Sequence, residues 1–198
     1  GLSEGGFAYL MSDSSLHDSS NLQDKKVWVP EGDKISLTIF EKAGVNPITL
    51  PVSDVYTSLQ TGLINTLAAN PSSVIAMQWH NKLKYAADYP LVFILGMLVV
   101  DSRSFNAIDP ADQAIVTQIM DNTFKAMDIQ NAKDELAARE ALINNGIEFQ
   151  ELSDADKQAW QQMAKETLNA LKEQNVYPVE LYQKLLDRLE EVRANQAN

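Results

Sequence analysis

The stretch Pro51-Val-Ser-Asp-Val-Tyr-Thr-Ser-Leu-Gln-Thr-Gly-Leu-Ile-Asn65 decides how the chain is read. Ser53 suits a helix N-cap, because its hydroxyl can accept from the free amide of Tyr56. Asp54 then sits in the first turn, where negative charge is favoured. Val55, Leu59 and Leu63 recur at helical spacing and can face a core. Gly62 falls where a helix ends in a left-handed residue. Just upstream, Pro47-Ile-Thr-Leu-Pro51 reads as a strand. Strand-to-helix junctions of this kind hold small solutes, because free backbone amides point outward there.

Working outward, the same rhythm continues. Phe7–Met11 reads as a strand, and Ser12–Asn21 as a polar loop with a short helical turn. Lys26–Pro30 alternates as a strand. Lys34–Ala43 carries Ile35, Leu37, Ile39 and Phe40 and predicts a helix closed by Gly44. Strands at Ile48–Leu50 and Leu63–Leu67 flank the Ser53 helix, Ser72–Tyr85 reads as helical, and Leu91–Val100 as a buried strand. Alternating strands and helices imply an α/β fold. After Ser104 the character changes. Asp109-Pro110 is a strong helix start, with Gly146 as the stop. Ile147–Leu152 is strand-like, Ser153-Asp-Ala-Asp156 opens another helix in capping-box fashion, and the Leu-rich segment after Pro178 forms a last one.

Composition narrows the function. The 198 residues carry 27 acidic and 16 basic side chains, a net charge of −11. That argues against nucleic acid, which calls for basic patches, and against an anionic membrane surface. No cysteine is present, which removes disulfides, thiol nucleophiles and thiolate metal sites. The longest apolar run, Leu91–Val100, falls well short of the roughly twenty residues of a spanning helix. No nucleophile elbow, phosphate loop or zinc-protease motif occurs, so no catalytic residue is nominated and the chain is not expected to be an enzyme. His80 has only His17 for company and no acid at ligand spacing, so neither a metal nor a cofactor is expected. Glu190-Glu191 reads as solvated charge, and Leu181, Leu185, Leu186 and Leu189 as a packing stripe.

Four segments in order carry a family resemblance: Asn21-Leu-Gln-Asp-Lys-Lys-Val-Trp-Val-Pro30, Pro51–Asn65, Met77-Gln-Trp-His-Asn-Lys-Leu-Lys-Tyr85 and Pro90-Leu-Val-Phe-Ile-Leu-Gly-Met-Leu-Val-Val100. Across roughly residues 5 to 170 the chain resembles the solute-binding subunits of tripartite ATP-independent periplasmic (TRAP) transporters, the DctP-like family. The resemblance implies a periplasmic-binding-protein-like (type II-like) lobe with a mixed sheet, spanning 1–105. A mostly helical region, 106–198, would brace the lobes. It further implies a chain lacking most of the N-terminal lobe, a periplasmic location, a small, carboxylate-containing solute, and delivery to TRAP membrane subunits. Two departures stand out. The family's carboxylate-gripping Arg is Trp28 here, and its Gln-Glu-Asn-Pro becomes Leu67-Ala-Ala-Asn-Pro71. Trp offers stacking, apolar area and one donor, but no paired charge-assisted bonds.

The resemblance nominates Trp28, Ser53, Tyr56, Asn70 and Trp79 as ligand-binding residues. Each has an ordinary alternative. Trp28, between Val27 and Val29, faces the side opposite the valines, as a cleft wall or as a packing residue. Asn70-Pro71 is a turn or a solute-facing amide. Trp79 and His80 are neighbours, so only one of them reaches a cleft. Tyr56 reaches a ligand or packs beneath the lobe. Lys82 or Lys26 could replace the missing cation, though both read more simply as solvated. The rival to a transport role is a non-transport interaction module, in which the lobe dimerises or swaps helices through exposed apolar surface.

Overall fold

A computed structural model describes residues 1–16 and 19–196; His17 lies outside them. The longest strand, β1 (Leu2–Ser12), organises the sheet. Its second half pairs antiparallel with β4 (Thr66–Ala69), Tyr9 opposite Ala69 and Ser12 opposite Thr66. On the other edge Met11 and Ser12 meet Ala86 and Tyr85 of β5 (Tyr85–Ala87). Its first half pairs antiparallel with β6 (Val92–Met97), with a bulge between Glu4 and Gly6. A last strand, β7 (Glu148–Gln150), adds parallel to β5. The remaining two strands, β2 (Trp28–Pro30) and β3 (Ile48–Leu50), form a parallel pair, joined to β4 by a bridge from Val27 to Thr66. The sheet is therefore mixed, as expected.

Helices cover both faces, and strand alternation sorts the core accordingly. On one side Met11, Trp28, Leu67 and Ala86 pack with Val55 and Leu59 of α2 (Val55–Thr61), Val74 of α3 (Pro71–Ala76), Trp79, and Leu142 of α5 (Pro110–Asn144). On the other, Leu10, Val27, Val29 and Ala87 pack with Phe40 of α1 (Lys34–Lys42) and, at the edge, Trp160 of α6 (Asp154–Glu173). Neighbouring residues such as Leu10 and Met11 divide cleanly between the two clusters.

The expected punctuation holds where it is local. Gly44 (φ 75°), Gly62 (φ 71°) and Gly146 (φ 89°) are left-handed at the ends of α1, α2 and α5. Asp109 accepts from the Ala111 amide at the start of α5, and Ser153 from the Asp156 amide at the start of α6. Before α5 stands a short helix, α4 (Ser102–Asn106), and after α6 comes α7 (Val179–Gln196).

Four expectations need correction. The strand expected at Leu63–Leu67 lies at Thr66–Ala69, because Leu63 and Ile64 still hydrogen-bond back to Ser58 of α2. The helix expected over Ser72–Tyr85 stops at Ala76: Gln78 turns left-handed (φ 57°), a 3-10 turn follows at Trp79–Lys82, and Tyr85 already belongs to β5. Ser53 does not cap α2; it sits within a 3-10 turn, Val52–Asp54, and its hydroxyl donates to Asp54 Oδ1 at 3.0 Å. Finally, Leu91–Val100 is not a buried strand. The five large residues of β6 are 37–75% exposed: the strand pairs with β1, and among the described residues none of its side chains joins either buried cluster.

Candidate functional site

Two of the three tryptophans, Trp28 and Trp79, meet. Trp28 leaves β2 on the face opposite Val27 and Val29, as alternation requires, but that face is itself packed. Its ring lies 5.5 Å from that of Trp79 in an edge-to-face arrangement, the geometry aromatic quadrupoles prefer. Left-handed Gln78 aims Trp79 inward, and the 3-10 turn it begins packs against α2 and α3. Each indole is 4% exposed. The one donor of Trp28, Nε1, goes to the Leu50 carbonyl at 2.9 Å. Tyr56, half-buried on α2, packs against the same cluster. Trp28, Tyr56 and Trp79 therefore belong to one packed cluster, drawn from three separate elements.

Asn70 borders that cluster through its neighbours Ala69 and Val74. It stands between β4 and α3 with extended backbone (φ −78°, ψ 149°), and Pro71 opens the helix. Its side chain does not cap α3. Instead Nδ2 donates to the Gly5 carbonyl at 2.6 Å and to Glu135 Oε1 of α5 at 2.7 Å. Next to it, α5 grips the β1 bulge. Asp128 Oδ1 accepts from Ser3 Oγ and the Glu4 amide (2.8 and 2.9 Å), and Asn131 donates to the Glu4 carbonyl at 2.9 Å. Ser53 stands apart from this group, on an exposed turn at the head of α2.

The nearby cations are mostly engaged. Lys26 Nζ donates to the Gly62 carbonyl at 2.8 Å. Arg139 pairs with Asp88 at 2.7 Å and lies 4.1 Å above the Phe149 ring. Lys82 is half-buried and has no carboxylate within ion-pair distance among the described residues. Sequence reasoning missed Glu135 and Arg139. Both line a cavity of about 220 Å³ between β1 and α5, with Phe7, Tyr9 and Phe93. The available signal was a Gly5-Gly6 pair inside an apolar strand, which announces a bulge or a close approach. Among the described residues no three His, Asp or Glu side chains are placed to hold a metal, and no helix is long and apolar enough to cross a membrane.

A family model described as bacterial extracellular solute-binding protein, family 7 (DctP), matches residues 3–175. No curated protein sequence matches the chain. Among solved structures, a TRAP periplasmic solute-binding protein from Haemophilus influenzae RdAW, with bound L-gulonate, superposes with a TM-score of 0.88 at 19% identity. The match covers 94% of this chain and 61% of that one. One from Sulfitobacter sp. NAS-14.1, with bound β-D-galacturonate, gives 0.81 at 22% identity, covering 88% and 57%. One from Desulfovibrio salexigens, with bound orotic acid, gives 0.81 at 18% identity, covering 98% and 61%. The chain thus has their fold and spans about three-fifths of their length.

Proposed function

The chain belongs to bacterial extracellular solute-binding protein family 7, a periplasmic binding family, and from that premise we propose that it captures a small organic acid-like solute for a TRAP-type secondary transporter. The family match over residues 3–175 carries this reading. The acids held by the solved relatives supply the solute class. Residues 1–105 would present the solute-binding surface, and the helices of 106–198 would brace it, with β7 contributing a strand to the sheet. On this reading Trp28, Tyr56 and Trp79 would form the floor of that surface, Asn70 its polar border, and Ser53 an outlying hydroxyl on the approach. Trp28 stands where the family carries Arg and contributes no charge. Capture favours a closed form only in so far as the solute binds that form more tightly than the open one. Handover to the membrane subunits then returns the protein to the open form.

The test is a thermal-shift and calorimetric screen against organic acids, sugar acids, sugars and amino acids. A true solute at a hundredfold excess over its Kd adds about 2.7 kcal/mol of stability. Within that screen, Trp28→Ala is expected to weaken the responding solute at least tenfold; unchanged affinity would remove Trp28 from the floor.

A second reading, an interaction module that pairs with a copy of itself, is favoured by one observation. The apolar residues of β6 and the stripe Leu181, Leu185 and Leu189 on α7 are exposed. A stable dimer that answers to no solute would favour it.

A further inference from the structure

We propose that Glu135 fixes Asn70 as a hydrogen-bond acceptor, so that the solute meets this position through a hydroxyl and not through its carboxylate. The inference rests on the solute-receptor reading above and narrows its ligand class to hydroxylated acids.

An Asn amide has two N–H donors and one carbonyl oxygen. Here Nδ2 serves two acceptors at once, the Gly5 carbonyl at 2.6 Å and Glu135 Oε1 at 2.7 Å. Both donors point into the fold. Turning the amide over would set Oδ1 against a carbonyl and a carboxylate, three acceptors with no hydrogen between them, so the observed orientation is the one the surroundings permit. Oδ1 takes no bond from a described group, and Asn70 keeps 8% of its surface exposed.

Glu135 owes its reach to glycine. A Cβ on Gly6 would lie 2.8 Å from Glu135 Cγ, and Gly6 holds φ +82° within the bulge. Asp128 and Asn131, two turns and one turn earlier on α5, seat the helix on the same bulge. The orientation of Asn70 is therefore set by β1 and α5 before any solute arrives. A carboxylate brought to Oδ1 would meet an acceptor backed by a second carboxylate, whereas a hydroxyl donates to it. Trp28 points the same way: it supplies no charge, and its single donor is already held by Leu50. A polyhydroxylated acid fits this border, and a bare dicarboxylate does not.

The experiment measures affinity by calorimetry for two sets of acids. D-galactarate, D-gluconate and D-galacturonate carry hydroxyls; adipate, glutarate and succinate do not. The tightest binder is expected in the hydroxylated set, at least tenfold ahead of its best hydroxyl-free counterpart. Glu135→Leu frees one amide donor and should shrink that ratio several-fold. Glu135→Gln keeps an acceptor for Nδ2 and should preserve it. A purely structural Glu135 would weaken both sets alike and leave the ratio unmoved, which overturns the proposal. A ratio that shrinks equally in both variants also overturns it, because charge rather than orientation is then responsible. A hydroxyl-free acid as the tightest binder overturns it while leaving the solute-receptor reading intact. No binding by any acid in either set removes both.

Discussion

Trp28 holds the most information per atom in this chain. It is nearly sealed, it uses its one hydrogen bond internally, and it meets a second indole edge to face. Trp28→Phe removes the donor to Leu50 and should lower unfolding stability by about 1–2 kcal/mol. Trp28→Ala should cost about 3–5 kcal/mol through the cavity it leaves. Urea midpoints at unchanged slope would check both. That Trp28 faces away from Val27 and Val29 was legible, because alternation is a property of the strand alone. That the other face is packed was not, since its cover comes from α2 and from a turn some fifty residues downstream. Gly6 makes a complementary case. Gly6→Ala joins a left-handed φ of +82° to a 2.8 Å approach to Glu135, and should destabilise by about 1–3 kcal/mol in the same assay. The pairing of Glu135 with Asn70 was beyond sequence reasoning, because 65 residues separate the partners.

At the scale of elements, what is encoded within one turn of chain was readable and what depends on neighbours was not. The start of α5 at Asp109-Pro110 and its stop at Gly146 are local chemistry, as is the Ser153 cap of α6. Asp109→Ala and Ser153→Ala should each cost about 1 kcal/mol, seen as a lower thermal midpoint. The break at Gln78 was hidden, since nothing in a glutamine announces a left-handed backbone. The apolar run of β6 stated its composition but not its burial, which is decided by what packs against it. Between α6 and α7, Tyr177 donates to the Leu168 carbonyl at 2.7 Å. Desolvation, and secondarily the nearby Tyr182, hold its phenol above the usual value of 10.0. The folded state therefore keeps the proton longer than the unfolded one. The resulting stability is complete below about pH 10 and is lost as pH rises through the folded value. Tyr177→Phe should flatten the alkaline arm of stability plotted against pH.

Over the whole molecule, two well-packed faces coexist with a large uncovered apolar surface. That surface comprises the residues of β6, the first part of α5 with Ile115, Ile119 and Ile129, and the α7 stripe. At 35 residues α5 is about 50 Å long, yet its buried residues, Ala138 and Leu142, lie in its last third. Exposed apolar area of this kind finds partners, while a net charge of −11 opposes indiscriminate clustering. Sedimentation velocity should show association that grows with concentration. Leu95→Lys, placing charge on β6, should weaken it several-fold without changing the monomer's fold.

The pairing of β5 with β7 also imposes an order in time. Asp88 and Glu148 exchange backbone bonds across it with Gln150 and Lys84 at 2.8 Å each. The side chain of Gln150 reaches further back and accepts from the Leu16 amide at 2.8 Å. Residues near 16, 86 and 150 must therefore assemble together, and all of α5 has to leave the ribosome before they can. Until then the outer edge of β5 is an open template for any passing strand. Distant pairings of this sort slow folding, because the loop must close before any contact compensates it. The chain should thus acquire helix early and its last sheet edge late, and the interval between the two is when it most needs to be kept from its neighbours.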